Sequence, residues 1–295
     1  MAYVFALSAG LCYAIASVFQ HKVAAAAPKN LSLSWRLLAE VVQHPLWLFG
    51  IGLDVAAYFL EAAALANGSI VLVQTLLVSG LLFALPLSAI GAPVKPARED
   101  WFAAVAVVLG IVVFLSVGDP SDGKYRATTL DWVIAFAVCG SIMVTMIVVT
   151  RHAVPHYRAL GLAVATGASY ALTAALTKQV VEIVDVHGFV GIFGHWPTYA
   201  LGFFAIVGLI LNQSAFNAGH LAASLPALAV TNPVLSSILG IALFDEALLA
   251  HGVLQYAVTA VAVAVMITGV IKLARSPFVS GDDDGTHPPV TPAMP

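Results

Sequence analysis

Two carboxylates stand seven residues apart inside one apolar stretch of this sequence. Asp54 and Glu61 both fall in the stretch 46–66, which is long enough to cross a lipid bilayer as a helix. Seven residues make two helical turns, so Asp54, Glu61 and the intervening Tyr58 share one face, with about 10 Å between the carboxylates along the axis. An ionised carboxylate at the centre of a membrane costs at least about 2.5 kcal/mol. We therefore expect this face to bind a cation or to carry protons; the alternative is protonated carboxyls that hydrogen-bond between helices.

A metal ion would need more than these two carboxylates. Magnesium takes an octahedron of oxygens at about 2.1 Å, which side chains two turns apart on one helix cannot supply jointly. If a cation is carried, Asp54 and Glu61 would hold it hydrated or one after the other, with ligands from other helices. The sequence has no metalloprotease, nucleophile-elbow or glycine-rich phosphate motif. We expect no enzyme activity, no catalytic residue and no cofactor.

Polar side chains in other apolar stretches are further candidates for the same site. In the second half of the chain, Gln213 takes the place of Glu61 at an offset of 152 residues, and an asparagine follows one turn later. Pro233 frees a backbone carbonyl in the preceding turn, and broken helices often line solute sites. Interhelical hydrogen bonds are the alternative role. These further candidates are Gln74, Gln213, Asn217, Thr231 and Asn232.

The composition places these residues in a membrane. Of 295 residues, 61% are apolar and 9% are charged, and the mean hydropathy is +0.97. Soluble proteins average about 25% charged residues, so this chain cannot cover a soluble surface. Soluble enzymes, secreted disulfide scaffolds and nucleic-acid modules are excluded, and the net charge of −3 offers no basic surface for nucleic acid. Cys12 and Cys139 stand alone in apolar runs, as small buried hydrophobes do.

Nine apolar stretches are long enough to cross a bilayer as helices. The sequence therefore predicts an all-α, polytopic membrane helix bundle. The predicted spans are 3–21, 46–66, 69–90, 101–117, 130–150, 158–178, 196–217, 221–244 and 252–273.

The distribution of Lys and Arg predicts the orientation of the bundle. With the N-terminus outside, nine of these residues fall in inside loops and three outside, as the positive-inside rule favours. We expect a multi-pass protein of the plasma (inner) membrane with a cytoplasmic C-terminus. Lys178 is expected to reach the membrane surface, and Asp245 and Glu246 are expected to lie in water as turn residues.

The two halves of the sequence resemble each other. "GLCYAIAS" at 10–17 matches "GASYALTA" at 167–174, and "PLWLFGIGL" from Pro45 matches "PTYALGFFA" from Pro197. Four spans per half around one odd span place the second half in the opposite orientation, which is typical of alternating-access transporters. The predicted organisation is a first membrane repeat (1–118), a central linking helix (119–157), a second membrane repeat (158–275) and a disordered cytoplasmic tail (276–295).

Several segments carry the pattern of a known family: "GLCYAIAS", "YFLEAAALANGSIVLVQTLL" and "AFNAGHLAASLPALAVTNPVLSSILGIALFDEALL". On these segments the chain resembles the drug/metabolite transporter superfamily, in its EamA-like branch, over 1–275. The layout around an odd central helix, with "SVFQHK" and "DVAAYF", is similar to the NIPA-type magnesium transporters.

The resemblance implies a secondary transporter that moves a small solute by alternating access, with coupling to protons, coupling to another cation or no coupling as the alternatives. It also implies a gating role for Asp245 and Glu246 as the alternative to solvated turn residues. A NIPA-like transporter of magnesium or another divalent cation is one alternative, and a membrane scaffold without transport is another. The implied partners are the lipid bilayer, a small solute or cation, and a second copy of the chain in a homodimer. A scaffold has no need of Asp54 and Glu61 at depth, which favours transport.

Overall fold

The helices of the chain account for most of its length. A computed structural model describes residues 1–28, 31, 33–80, 82–83, 97–121, 123, 127–218, 221–249 and 252–274. Within these residues there are ten α-helices and two short strands. The helices are α1 (Ala2–Ala26), α2 (Trp35–Val41), α3 (Pro45–Leu65), α4 (Ile70–Leu77), α5 (Arg98–Gly118), α6 (Thr129–Thr150), α7 (Pro155–Gly191), α8 (Trp196–Ala218), α9 (Leu221–Phe244) and α10 (Val253–Ala274).

Eight of these helices are long and apolar enough to cross a membrane. They coincide with eight of the nine predicted spans, so the prediction of an all-α polytopic bundle is confirmed. The remaining span, 69–90, begins with α4, but residue 81 and residues 84–96 lie outside the described part. The predicted tail 276–295 also lies outside it.

Helix starts follow local capping chemistry. The hydroxyl of Ser69 accepts a hydrogen bond from the Leu72 amide (3.2 Å) and so caps α4. At α6, the Asp131 carboxylate accepts from the Thr128 amide at 2.7 Å, as in a capping box. Helices α3 and α7 begin with Pro45 and Pro155, whose fixed φ suits the first helical position. These caps fix where each long helix enters the bundle.

Helix α7 forms the centre of the bundle. In its apolar stretch of 18 residues, 78% of residues are buried, and the helix packs against α6, α8 and α9. It continues well beyond the predicted end at residue 178 and breaks at Gly188, whose φ of 71° is in the left-handed region. In the first half, by contrast, α1 ends at Ala26 and a separate helix, α2, follows.

The other long helices pack in pairs. Helix α1 lies along α3 as α7 lies along α8, and the helices that end the two halves, α5 and α10, pack against each other. Strand β1 (Pro120–Ser121) pairs antiparallel with β2 (Ala247–Leu248). The loops after α5 and α9 therefore lie on the same side of the bundle, as the predicted order of crossings requires.

Candidate binding site

A cavity of about 540 Å³ lies within the bundle, lined by α1, α3, α4, α7, α8 and α9. Its size falls within the range of about 300–1,000 Å³ typical of small-molecule sites. The polar side chains along its wall are Tyr13, Ser17, Gln20, Asp54, Tyr58, Glu61, Gln74, Tyr170, Thr173, Thr177, Asn212 and Asn232. Five of the eight predicted site residues are thus brought together: Asp54, Tyr58, Glu61, Gln74 and Asn232.

Each carboxylate oxygen of Glu61 accepts one hydrogen bond. The Tyr13 hydroxyl donates to Oε2 at 2.8 Å, and the Gln74 amide donates to Oε1 at 2.8 Å. The network continues to α9, because Asn232 donates to the Gln74 carbonyl at 3.2 Å and Ser236 donates to Asn232 at 3.0 Å. Glu61 is therefore the centre of a polar network that joins α1, α3, α4 and α9.

Asp54 has a different environment. Its Oδ2 accepts from the Gln20 amide at 2.5 Å. Gln20 in turn accepts from Gln213 at 2.6 Å, and Gln213 accepts from the indole of Trp47 at 3.3 Å. Among the described residues nothing donates to Oδ1 of Asp54, and this side chain is only partly buried. Asp54 thus lines the cavity and is held in place through one oxygen, while its other oxygen accepts no hydrogen bond from the described residues.

Tyr58 links α3 to α7. Its hydroxyl lies 3.1 Å from the Thr177 hydroxyl, and Thr177 donates its own proton to the Thr173 carbonyl at 2.8 Å. Because a threonine hydroxyl has one proton, Tyr58 is the donor in the first of these bonds. This contact joins the two halves beside the carboxylates.

Three predicted site residues do not line the cavity. Gln213 lies behind Gln20, since its face of α8 points toward α1 and α3. Asn217 donates to the carbonyls of Ala24 (3.1 Å) and Ala27 (2.9 Å) and so caps the end of α1. Thr231 packs against the backbone of α7: a Cβ on Gly167 would lie 2.7 Å from its Cβ. In this structure these three residues stand away from the cavity wall, although Gln213 supports Asp54 through Gln20, and their binding of a solute stays a prediction.

Seven polar residues of the cavity wall lie outside the predicted site: Tyr13, Ser17, Gln20, Tyr170, Thr173, Thr177 and Asn212. The repeat contained a signal for two of them, because Tyr13 and Tyr170 occupy the same place in "GLCYAIAS" and "GASYALTA". The ring of Tyr170 lies against α8 at Gly208, where a Cβ would come within 2.6 Å of it. The other five had no signal beyond being polar in an apolar helix.

A buried ion pair lies outside the cavity and corrects two predictions. Lys178 Nζ lies 2.7 Å from Glu246 Oε1, and both side chains are almost fully buried, so Lys178 does not reach the membrane surface and Glu246 is not solvated. Glu246 is buried because the first turn of α4 has backbone amides without a partner inside the helix. The Ile70 and Val71 amides donate to its carboxylate at 2.7 and 3.1 Å. Asp245 is exposed as predicted, and its left-handed φ of 55° turns the chain so that Glu246 faces α4.

Comparison with known proteins gives one relative along nearly the whole chain. An uncharacterized protein of Corynebacterium glutamicum is 30% identical over 276 residues, which cover 94% of this chain and 95% of that protein. The chain belongs to the family of this corynebacterial protein. No family model matches the chain. No solved structure matches it.

The cavity of this family member offers hydrogen-bond acceptors, among them two carboxyl groups. Asp54 and Glu61 are its carboxylates, and no Lys, Arg or His is among the described lining residues. In the described part of the chain, no three His, Cys, Asp or Glu side chains come together as a metal site. The arrangement therefore suits a ligand that donates hydrogen bonds or carries a positive charge, with Asp54 Oδ1 as the acceptor that the protein leaves open.

Proposed function

We propose that this protein is a secondary transporter of the drug/metabolite transporter superfamily that moves a small polar solute or amine across the plasma membrane by alternating access. The observation that carries the proposal is a cavity inside the membrane-spanning bundle with two carboxylates in its wall. No nucleotide-binding motif is present in the sequence, so a solute, ion or proton gradient drives transport. Asp54 binds the solute or exchanges it for a proton.

The cost of the two carboxylates supports transport over a purely structural role. Each costs at least about 2.5 kcal/mol at membrane depth when ionised. Glu61 is stabilised by two donors and links four helices, which is a structural role. The open oxygen of Asp54 has no such role, so a function at the cavity is what accounts for it.

Contacts between the halves at both ends of the cavity support alternating access. Tyr58 and Thr177 join α3 to α7, and farther along, Lys178 joins α7 to Glu246 and the start of α4. Toward the other end, Gln213 joins α8 to Gln20 and Trp47. Opening the cavity to one side breaks one set of contacts while the other set remains, which is the requirement for alternating access.

Transport of magnesium is the second candidate, and the open oxygen of Asp54 is the observation in its favour. Each oxygen of Glu61 already accepts one hydrogen bond, whereas Oδ1 of Asp54 accepts none from the described residues and is the less engaged ligand for a cation. Such a site would bind the ion through its water shell, since magnesium dehydrates reluctantly.

Purified protein in liposomes that enclose a pH dye and a magnesium dye distinguishes these functions. Asp54→Asn keeps an acceptor for Gln20 but removes the charge, and Asp185→Asn is the matched control at an exposed position of α7. We expect added small amines or polar metabolites to drive proton movement in the wild type and Asp185→Asn, with a loss of about tenfold or more in Asp54→Asn. Magnesium entry that requires Asp54 would establish the second candidate. Silence of both dyes with every solute would contradict transport and favour a membrane scaffold.

A further inference from the structure

The cavity opens on the side of the bundle between α3 and α8. Val55 and Phe59 of α3 and Ala205 of α8 line the cavity, yet they are also exposed at the outer surface, Val55 to 50% and Phe59 to 67%. A residue that belongs both to a cavity wall and to the outer surface marks the rim of an opening. The rim is apolar, and Leu209 continues it on α8.

The packing of the helices explains why a gap remains here. Helix α3 packs along α1, and α8 packs along α7, so the two helices face each other as members of different pairs. A hydrogen bond from Trp47 of α3 to Gln213 of α8 bounds the gap at one end. Near the other end, Tyr58 turns from α3 to Thr177 of α7 rather than to α8.

The opening lies at the depth of the hydrocarbon. Val55 is ten residues after Pro45 and ten before Leu65, the ends of α3. Ala205 is nine residues after Trp196 and thirteen before Ala218, the ends of α8. A spanning helix of about 20 residues has its midpoint in the middle of the bilayer. The gap therefore faces lipid chains rather than water.

The two sides of the opening differ in chemistry. Inside, Asp54 and Glu61 place two carboxylates on the same helix face, Oδ1 of Asp54 accepts no hydrogen bond from the described residues, and the described lining has no positive side chain. At the rim, only apolar surface meets the bilayer. A ligand complementary to both has a positive, hydrogen-bonding head and an apolar chain.

We propose that the gap between α3 and α8 admits an amphiphile with an ammonium head group and an apolar chain directly from the bilayer. The head group binds at Asp54, and the chain passes between Phe59 and Ala205 into the lipid. The inference rests on the proposed function of the cavity and adds the class of ligand and its route of entry. A free long-chain amine and an aminolipid of the bilayer share this chemistry.

Binding of labelled dodecylammonium to the protein in phosphatidylcholine nanodiscs tests the proposal, with ethylammonium as the short-chain probe. Ala205→Phe fills the rim, and Ala137→Phe is the matched control on the exposed face of α6. We expect Ala205→Phe to slow association of dodecylammonium by about tenfold or more, Ala137→Phe to leave it unchanged, and Asp54→Asn to abolish binding. If Ala205→Phe does not fold, Val55→Trp tests the opposite side of the rim.

Equal association with Ala205→Phe, Val55→Trp and Ala137→Phe would overturn the proposal, as would equal affinity of the wild type for the two probes. Replacing phosphatidylcholine by phosphatidylethanolamine distinguishes the sources: competition supports an aminolipid, and unchanged binding supports a free amine. Failure of the proposed function has a different signature. Dodecylammonium bound through the gap without flux of any solute would contradict transport and leave the route of entry standing.

Discussion

At the scale of single residues, the two carboxylates of α3 have separate tasks. Glu61 receives two hydrogen bonds and ties four helices together, whereas Asp54 receives one and has a second oxygen that accepts none from the described residues. Their spacing on one helix face could be predicted from the sequence. Their difference could not, because it depends on Tyr13, Gln20 and Gln74, which reach them from other helices.

The first prediction concerns Glu61. Replacing Glu61 by Leu leaves the Tyr13 hydroxyl and the Gln74 amide without their acceptor in a buried place, and an unpaired buried donor costs about 1–3 kcal/mol. Glu61→Gln should recover most of this loss, because its carbonyl accepts from Gln74 and the Tyr13 hydroxyl can accept from its amide. Equilibrium unfolding in detergent measures both variants. Equal stability of Glu61→Leu and the wild type would show that the network is not structural.

The second prediction concerns the buried ion pair. Lys178→Met leaves Glu246 buried without its cation, and breaking such a pair costs about 3–5 kcal/mol. Lys22→Met, the same change at an exposed position of α1, should alter the free energy of unfolding by less than about 0.5 kcal/mol. The double variant Lys178→Met/Glu246→Gln should lose less free energy of unfolding than the two single variants lose in sum. Strict additivity would contradict the pairing.

At the scale of helices and strands, the sequence predicts much of the fold. Apolar runs of bilayer length predicted eight spans that the structure confirms, because hydropathy acts along one helix at a time. Contacts between helices were out of reach of the same reasoning. Lys178 and Glu246 are 68 residues apart in the sequence. Both are buried because Glu246 accepts from the backbone amides at the start of α4 and Lys178 pairs with it there. The residues that Gln213 contacts likewise depend on the rotation of α8 about its axis relative to α1.

The third prediction concerns the contact of α7 with α9. A methyl group on Gly167 would lie 2.7 Å from the Thr231 Cβ, so Gly167→Ala should destabilise the bundle by about 1–3 kcal/mol. Gly140→Ala on α6 is the control, since nothing lies within 4 Å of its added methyl group, and it should be neutral or stabilising. Thermal unfolding of the two variants measures the difference. The close packing described for α7 and α9 would be contradicted by a neutral Gly167→Ala.

At the scale of the whole molecule, the bundle surrounds a polar cavity with contributions from both halves of the chain. Contacts between the halves flank the cavity, and the pairing of β1 with β2 fixes two loops on one side. The orientation in the membrane is a prediction from Lys and Arg, some of which lie outside the described residues.

The fourth prediction tests that orientation. In a background with Cys12 and Cys139 replaced by alanine, single cysteines at exposed positions 22 and 185 report opposite sides of the membrane. We expect Asp185→Cys to react with a membrane-impermeant maleimide in intact cells, and Lys22→Cys to react only after permeabilisation. The reverse pattern would invert the topology and place the C-terminus outside.

The central claim, that Asp54 serves a solute in the cavity, is tested most directly by solute-driven proton flux in liposomes for Asp54→Asn against Asp185→Asn. Both substitutions remove one negative charge from a carboxylate, but only one of the two carboxylates lines the cavity. The account predicts that flux falls about tenfold or more in Asp54→Asn and is unchanged in Asp185→Asn. Wild-type flux in a folded Asp54→Asn protein would contradict it.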